Sequence, residues 1–221
     1  MAARPKLERE LVEINDKVTA MTRRVEDAIV NSIKAIKNQD TSLARAIIDG
    51  DEAIDDMEDE ITEMCYLFLA TQQPLASDLR YSISIMKMVT DLERIGDHCE
   101  DLAKYAIRME HEEYTQELID LPRMADMAAG MVKNAIQAFL KQDLKLARKV
   151  WKMDEEVDEL FRNIYDEQLD IAVSDSVNTR LSIMFAFVAA HLERIADYAT
   201  NICEETVFSL EGRWEMLCSG H

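Results

Sequence analysis

Apolar residues recur at steps of three and four along most of the chain, which is the spacing of one face of an α-helix. The first such stripe begins at Leu7, steps through Leu11 and Ile14, and runs on to Ile36. Strand-type alternation of apolar and polar residues is absent. The pattern therefore predicts a long first helix that ends near Asn38.

Two further stripes follow the first. One of them ends at Phe68 and predicts a second helix, for which Asp40 or Thr41 can accept hydrogen bonds from the free backbone N–H groups of the first turn. The other predicts a third helix at about residues 75–108, with Pro74 in its first turn because proline needs no N–H partner there. Three helices of this length are expected to form an elongated bundle.

The three-helix pattern then occurs a second time. Residues 110–122 are polar and acidic and lack the stripe, and after them the apolar positions of the first half recur, with 191–198 repeating 91–98. The second copy is three residues shorter in the loop before its last helix, where a deletion leaves both neighbouring helices in register. We expect a first unit at 1–108, a connector at 109–121, a second unit at 122–212 and a tail at 213–221.

Composition supports an all-α protein and indicates the cellular compartment in which it works. Only five Gly and three Pro occur, and no run reaches the roughly 18 apolar residues of a membrane span. Four cysteines without C-x-x-C spacing suit reduced thiols in a cytosol, with Cys99 a small core residue. We therefore predict a cytoplasmic protein without membrane insertion.

The net charge excludes one large class of partners. Acidic residues number 44 and basic residues 25, which gives a formal charge of −19. Such an excess of negative charge opposes the approach of phosphate backbones and of anionic membrane surfaces. We expect no direct binding of nucleic acid.

Pairs of acidic residues one helical turn apart occur in both copies, on the second and third helices. Like charges at this spacing repel, so their repetition favours a bound cation. All-oxygen ligand sets suit hard cations such as magnesium, manganese, calcium or iron better than a tetrahedral zinc site. The pairs are Asp51 with Asp55 and Glu93 with Asp97 in the first copy, and Asp154 with Asp158 and Glu193 with Asp197 in the second.

A simpler interpretation is that these acids form solvated faces, with Arg94 and Arg194 bridging to acids one turn away. His98 is expected to be a surface histidine, although its position beside Asp97 would let it assist a metal, and His191 is similarly ambiguous. No Glu-x-x-His motif of ferritin-like enzymes is present. No glycine loop for phosphate and no nucleophile with a base at a suitable spacing occurs either, so an enzyme is not expected.

The paired motifs resemble those of the PhoU family of phosphate-uptake regulators. The resemblance extends from about residue 18 to 212, and its most specific stretches are 72–80, 91–97, 191–202 and 210–212. It implies two three-helix bundles related by pseudo-two-fold symmetry. It also implies metal clusters at the E(D)-x-x-x-D motifs, with iron in some members and other ions such as manganese, magnesium or zinc elsewhere.

Carried over by position, the resemblance adds Asp101 to the ligand set of the first unit and Asn201 to that of the second. Asp101 departs from its counterpart Asn201, where the family often has Asn, so the two sites are expected to differ in charge and affinity. The metal ligands implied by the resemblance are Asp51, Asp55, Glu93, Asp97 and Asp101 in the first unit and Asp154, Asp158, Glu193, Asp197 and Asn201 in the second.

The resemblance also implies a function. Family members are cytoplasmic regulators that couple the phosphate ABC transporter, through its ATPase, to a sensor histidine kinase and keep the phosphate regulon off when phosphate is plentiful. We accordingly expect a metal-binding, non-enzymatic adaptor that forms a homodimer. Two alternatives remain at this point: a carboxylate-bridged metalloenzyme acting on phosphate esters, and a helical scaffold whose acidic faces are only solvated.

Overall fold

The structure is a computed structural model that describes residues 3–114, 120–175 and 177–213. Over these ranges it contains helices and no strands, which confirms the predicted all-α class. The helices are α1 (Ala3–Asn38), α2 (Thr41–Gln72), α3 (Ser77–Arg108), α4 (Asp120–Lys141), α5 (Leu144–Ser174) and α6 (Thr179–Glu211).

The six helices form two three-helix bundles, as predicted, with α1–α3 in one and α4–α6 in the other. Helices α3 and α6 pack against each other between the bundles, and α1 also contacts α4. The apolar stripes of both bundles join in one hydrophobic core, which includes Ile14, Leu92 and Leu192, all fully buried. Burial of a continuous apolar face supplies the main driving force for this arrangement.

Helices α3 and α6 run antiparallel across the interface between the bundles. Near the start of α3, Lys87 forms an ion pair with Glu205 at 3.2 Å, and near its end Tyr105 stacks on Phe187 with ring centroids 6.2 Å apart. Residue numbers therefore rise along one helix as they fall along the other. This crossing brings equivalent positions of the two copies to opposite ends of the interface.

Aspartate side chains cap the starts of α2 and α5, and the first of these caps was predicted. The carboxylate of Asp40 accepts a hydrogen bond from the Leu43 amide at 2.9 Å at the start of α2. Asp143 does the same for α5, accepting from the amides of Lys145 at 2.9 Å and Leu146 at 3.1 Å. Each bond satisfies a backbone donor that has no partner within the helix.

The prediction for the start of α3 was wrong in one respect. Pro74 lies in the loop and not in the first turn of α3, which begins at Ser77. Gln73 and Ala76 both adopt positive φ angles, 46° and 50°, so the backbone between them is not helical. The chain uses these residues to reverse direction between two antiparallel helices.

The second bundle begins slightly before residue 122, where the sequence predicted its start. Helix α4 starts at Asp120, and Pro122 lies in its first turn, where a missing N–H costs nothing. On the other side of the connector, the Tyr114 hydroxyl donates to the Ile36 carbonyl at 2.9 Å. The Gln39 amide donates to the carbonyl of Met109 at 2.8 Å, so this part of the connector is held against the end of α1.

Three of the four cysteines lie within the described residues. Cys65, Cys99 and Cys203 are buried free thiols, and burial raises the pKa of Cys65 to about 12. Cys218 lies outside the described residues. None of the helices in the described ranges has the length and apolar character needed to cross a bilayer.

Candidate functional site

The first candidate site lies where α2 and α3 cross as antiparallel neighbours. The helices approach closely because Gly96, which is buried, has no side chain at the crossing. A Cβ atom at this position would lie 3.0 Å from Oδ1 of Asp51 and 3.3 Å from the side chain of Ile54. The backbone of α3 therefore passes directly over the acidic face of α2.

This crossing brings acids of the two helices within electrostatic reach of one another. Burial, followed by the charges of Asp55 and Asp97, raises the pKa of Asp51 to about 6. Burial followed by the charge of Asp97 also raises the pKa of Asp55 and of Glu93. Arg94 partly opposes the shift at Glu93 but does not reverse it. These four carboxylates form an acidic cluster whose repulsion is only partly compensated.

Two acids that the sequence-based set left out belong to the same neighbourhood. The charge of Glu100 raises the pKa of Asp51 and Asp55, and its own carboxylate forms an ion pair with Lys104. Glu58 accepts a hydrogen bond from the Thr90 hydroxyl at 2.9 Å. Each lies three residues beyond an acid of the set, so helical spacing was the signal that could have identified them.

A cavity of about 180 Å³ opens beside Asp51, between α1 and α2. Arg24, Asp27 and Asn31 line it from α1, and Gly50 lines it from α2. The cavity therefore gives Asp51 access to solvent and to small ions from the side of the first helix.

The second bundle contains an equivalent acidic cluster on α5 and α6. Burial, followed by the charges of Asp158, Asp197 and Glu193, raises the pKa of Asp154 to about 7. This is the same set of helix positions as in the first bundle. Eight of the ten predicted ligands thus fall into two separate four-carboxylate clusters.

The donor chemistry of both clusters fits a hard cation. Every candidate ligand is a carboxylate oxygen, and a cation would relieve the repulsion that raises the pKa values. Among the residues that the structure describes, three ligand atoms within 4.8 Å of one another occur at a different place. Within the described residues, no three carboxylates of either acidic cluster place their ligand atoms that close together.

The two remaining predicted ligands lie at opposite ends of the α3–α6 interface. Asp101 lies with His98 and His191, and one ligand atom from each of the three falls within 4.8 Å of the others. This group of three residues, called the histidine triad below, has the ligand types and spacing that can hold a metal ion. Asn201 instead lines a groove of about 610 Å³ at the other end, together with Asp91.

The interpretation of His98 as a surface residue was wrong. His98 and His191 are both half-buried, and their Nδ1 atoms lie 3.1 Å apart. Burial lowers the pKa of both side chains, and the positive charge of Arg194 adds to this effect. Both imidazoles are therefore neutral at pH 7.

The groove at the other end of the interface is strongly acidic. Burial, followed by the charge of Glu205, raises the pKa of Asp91 to about 7. Glu205 is 5% exposed and forms an ion pair with Lys87 at 3.2 Å, while its Oε2 atom has no hydrogen-bond partner among the described residues. The two ends of the α3–α6 interface thus differ in chemistry although their backbones are equivalent.

Comparison with solved structures shows the same architecture in two bacterial proteins. A structure titled as PhoU from Pseudomonas aeruginosa superposes with a TM-score of 0.89 at 32% identity, covering 93% of this chain and 99% of that one. The phosphate transport system regulatory protein PhoU from Streptococcus pneumoniae gives a TM-score of 0.87 at 28% identity, covering 95% and 99%.

Sequence comparison gives the same result over most of the chain. A PhoU homologue of Clostridium acetobutylicum, named as a phosphate-specific transport system accessory protein, is 35% identical over 93% of this chain and 94% of its own length. A homologue of the same name from Aquifex aeolicus is 36% identical over 94% of each. The model of the PhoU domain matches residues 18–106 and 121–206. The chain therefore belongs to the PhoU family.

Proposed function

We propose that this protein is a non-enzymatic regulator that limits phosphate uptake and phosphate-dependent signalling. It acts in the cytoplasm as a homodimeric adaptor between the ATPase of the phosphate ABC transporter and a sensor histidine kinase. Support comes from the relatives, which are named as accessory proteins of the phosphate-specific transport system. The net charge of −19 also suits a role based on protein contacts and not on nucleic acid.

The observation that carries the proposal is the duplication of the acidic cluster. Equivalent acids on α2 with α3 and on α5 with α6 raise one another's pKa values in both bundles. A surface that only needed solubility would gain more from alternating charges. Each bundle, 1–108 and 122–212, is therefore proposed to be one metal-binding unit of the adaptor.

Bound ions would be held by the side chains of both helices in each bundle. They would supply positive charge that offsets the repulsion and would fix one helix against the other. Iron, manganese, magnesium and zinc are the candidate ions. The proposed ligands are Asp51, Asp55, Glu93 and Asp97 in the first bundle, with Asp101 close by, and Asp154, Asp158, Glu193 and Asp197 in the second, with Asn201 close by.

Complementation tests the regulatory role. A bacterial host that lacks its own family member should show high phosphate uptake and an active phosphate-repressed promoter even in phosphate-rich medium. Expression of this chain should restore repression and reduce uptake of radiolabelled phosphate. A variant with Glu93→Gln and Asp97→Asn should restore less, because the first cluster loses two anionic ligands.

A binding experiment tests the adaptor role directly. Purified protein should retain both the transporter ATPase and the kinase, and it should do so as a dimer by light scattering. A control with Asp166→Asn removes a charge from an exposed position of α5 and should behave as wild type. Failure to retain either partner, together with failure to complement, would exclude the adaptor. Metal-dependent turnover of a generic phosphate ester would instead favour the metalloenzyme.

A further inference from the structure

The histidine triad joins the two bundles at one end of the α3–α6 interface. His98 and Asp101 lie three residues apart on α3, so both side chains project from the same side of that helix. His191 comes from α6 and reaches the same point across the interface. The group therefore contains side chains of both sequence repeats, unlike either acidic cluster.

The distances within the triad match those between ligands of one metal ion. The two Nδ1 atoms are 3.1 Å apart, and all three ligand atoms lie within 4.8 Å of one another. Imidazole nitrogens at about 2.0–2.1 Å from a zinc ion are separated by about 2.9–3.4 Å when they occupy adjacent positions. The two histidines could thus bind the same ion with little movement.

Neighbouring side chains hold each member of the triad in place. The ring of Tyr198 lies 5.7 Å from that of His98, and the ring of Tyr105 lies 5.8 Å from that of His191. Lys104 contacts Oδ1 of Asp101 at 3.2 Å, which leaves the second oxygen of the carboxylate for another partner. In known metal sites a ligating carboxylate is commonly hydrogen-bonded in this way to a further residue.

The equivalent positions at the other end of the interface do not repeat this chemistry. Tyr198 replaces His98, Asn201 replaces Asp101, and Asp91 replaces His191 in the other copy. Two imidazoles therefore lie side by side at one end of the α3–α6 interface and not at the other. This difference predicts one such site in each chain.

We propose that His98, Asp101 and His191 form a binding site for one first-row divalent transition-metal ion of the zinc type, which links the two bundles. Two nitrogens and one oxygen form a softer ligand set than the all-oxygen acidic clusters. Three protein ligands leave at least one position of the ion open to water or to a further ligand. The site is thus distinct from the acidic clusters in ligands, location and metal preference.

Zinc binding measured in a background of magnesium tests this proposal. Metal-free protein is titrated with Zn²⁺ against a chromophoric chelator, with millimolar Mg²⁺ present to compete at the all-oxygen clusters. Wild-type protein should bind one zinc ion tightly. The double variant His98→Ala with His191→Ala should bind that ion at least about 100-fold more weakly, because two of its three protein ligands are missing.

Two controls separate the triad from other zinc-binding groups. His111 is 91% exposed and lies outside the triad, so His111→Ala should leave the tight zinc site unchanged. The variant with Glu93→Gln and Asp97→Asn should also retain it, because those acids belong to the first acidic cluster. Loss of tight zinc binding in the His111 variant would overturn the assignment.

A measurement on the wild-type protein avoids any dependence on variant folding. Imidazole NMR signals of His98 and His191 should shift on addition of one equivalent of Zn²⁺, while those of His111 stay in place. Unshifted signals at full zinc loading would show that the two histidines form only a hydrogen bond with each other, and the proposal would be wrong. Unchanged zinc affinity in a folded double variant would lead to the same conclusion.

Discussion

Neutralising Asp154 should stabilise the metal-free protein at high pH. The pKa of this carboxyl is raised from 3.8 to about 7, so the folded state favours its protonated form. The stability associated with this proton is fully present below the unfolded pKa and is lost as the pH rises through about 7. Asp154→Asn mimics the protonated form at every pH and should escape this loss.

The expected gain in stability follows from the pKa shift of Asp154 and from the exposure of its side chain. The full shift from 3.8 to about 7 corresponds to about 4 kcal/mol of unfolding free energy above pH 7. Asp154 is only partly buried, and solvent screens the charges around it, so we expect roughly 2 kcal/mol. Near pH 4, just above the unfolded pKa of 3.8, most of this loss has not yet occurred, so the variant and the wild type should differ little in stability.

Urea unfolding at pH 4 and pH 8, with a chelator present, measures this difference. The matched control is Asp166→Asn, which removes one charge from an exposed position of the same helix. Adding a divalent ion at about 100 times its dissociation constant should stabilise wild type by about 2.7 kcal/mol and the Asp154 variant by less. If Asp154→Asn is no more stable than wild type at pH 8 without metal, the reasoning about the acidic clusters is refuted.

Three further substitutions test the fold around the sites, each by urea unfolding. Asp40→Ala removes the cap of α2 and should cost about 1 kcal/mol; no loss would contradict the capping role. Phe139→Ala should cost about 3–5 kcal/mol, because this buried ring stacks on Tyr81 at 4.9 Å. Gly96→Ala should change stability by less than about 1 kcal/mol but weaken metal binding near Asp51, which isothermal titration would measure.

Helix positions and the duplication were predictable because both depend on local, periodic information. Apolar spacing identified the helices, and the capping residue Asp40 identified a boundary. The boundaries that were wrong depend on backbone conformations that residue types specify weakly. Ala76 with a positive φ angle is an example, since alanine seldom adopts that conformation.

The acidic clusters were largely predictable, but the histidine triad was not. Acids one turn apart on a helix share a face, so sequence spacing alone brings Glu93 and Asp97 together. His98 and His191 meet only because α3 and α6 cross as antiparallel helices. Comparing the two copies by position paired each histidine with a different residue type and so concealed their proximity.

Metal content is the most direct test of the claim that the acidic clusters bind cations. Wild-type protein purified without chelators or affinity metals is compared by elemental analysis with the variant that carries Glu93→Gln and Asp97→Asn. Because the clusters lie in separate bundles and are expected to bind independently, the variant should lose about half of the ions held by acidic side chains. Equal metal content in the two proteins, or no stoichiometric metal in wild type, would contradict the account.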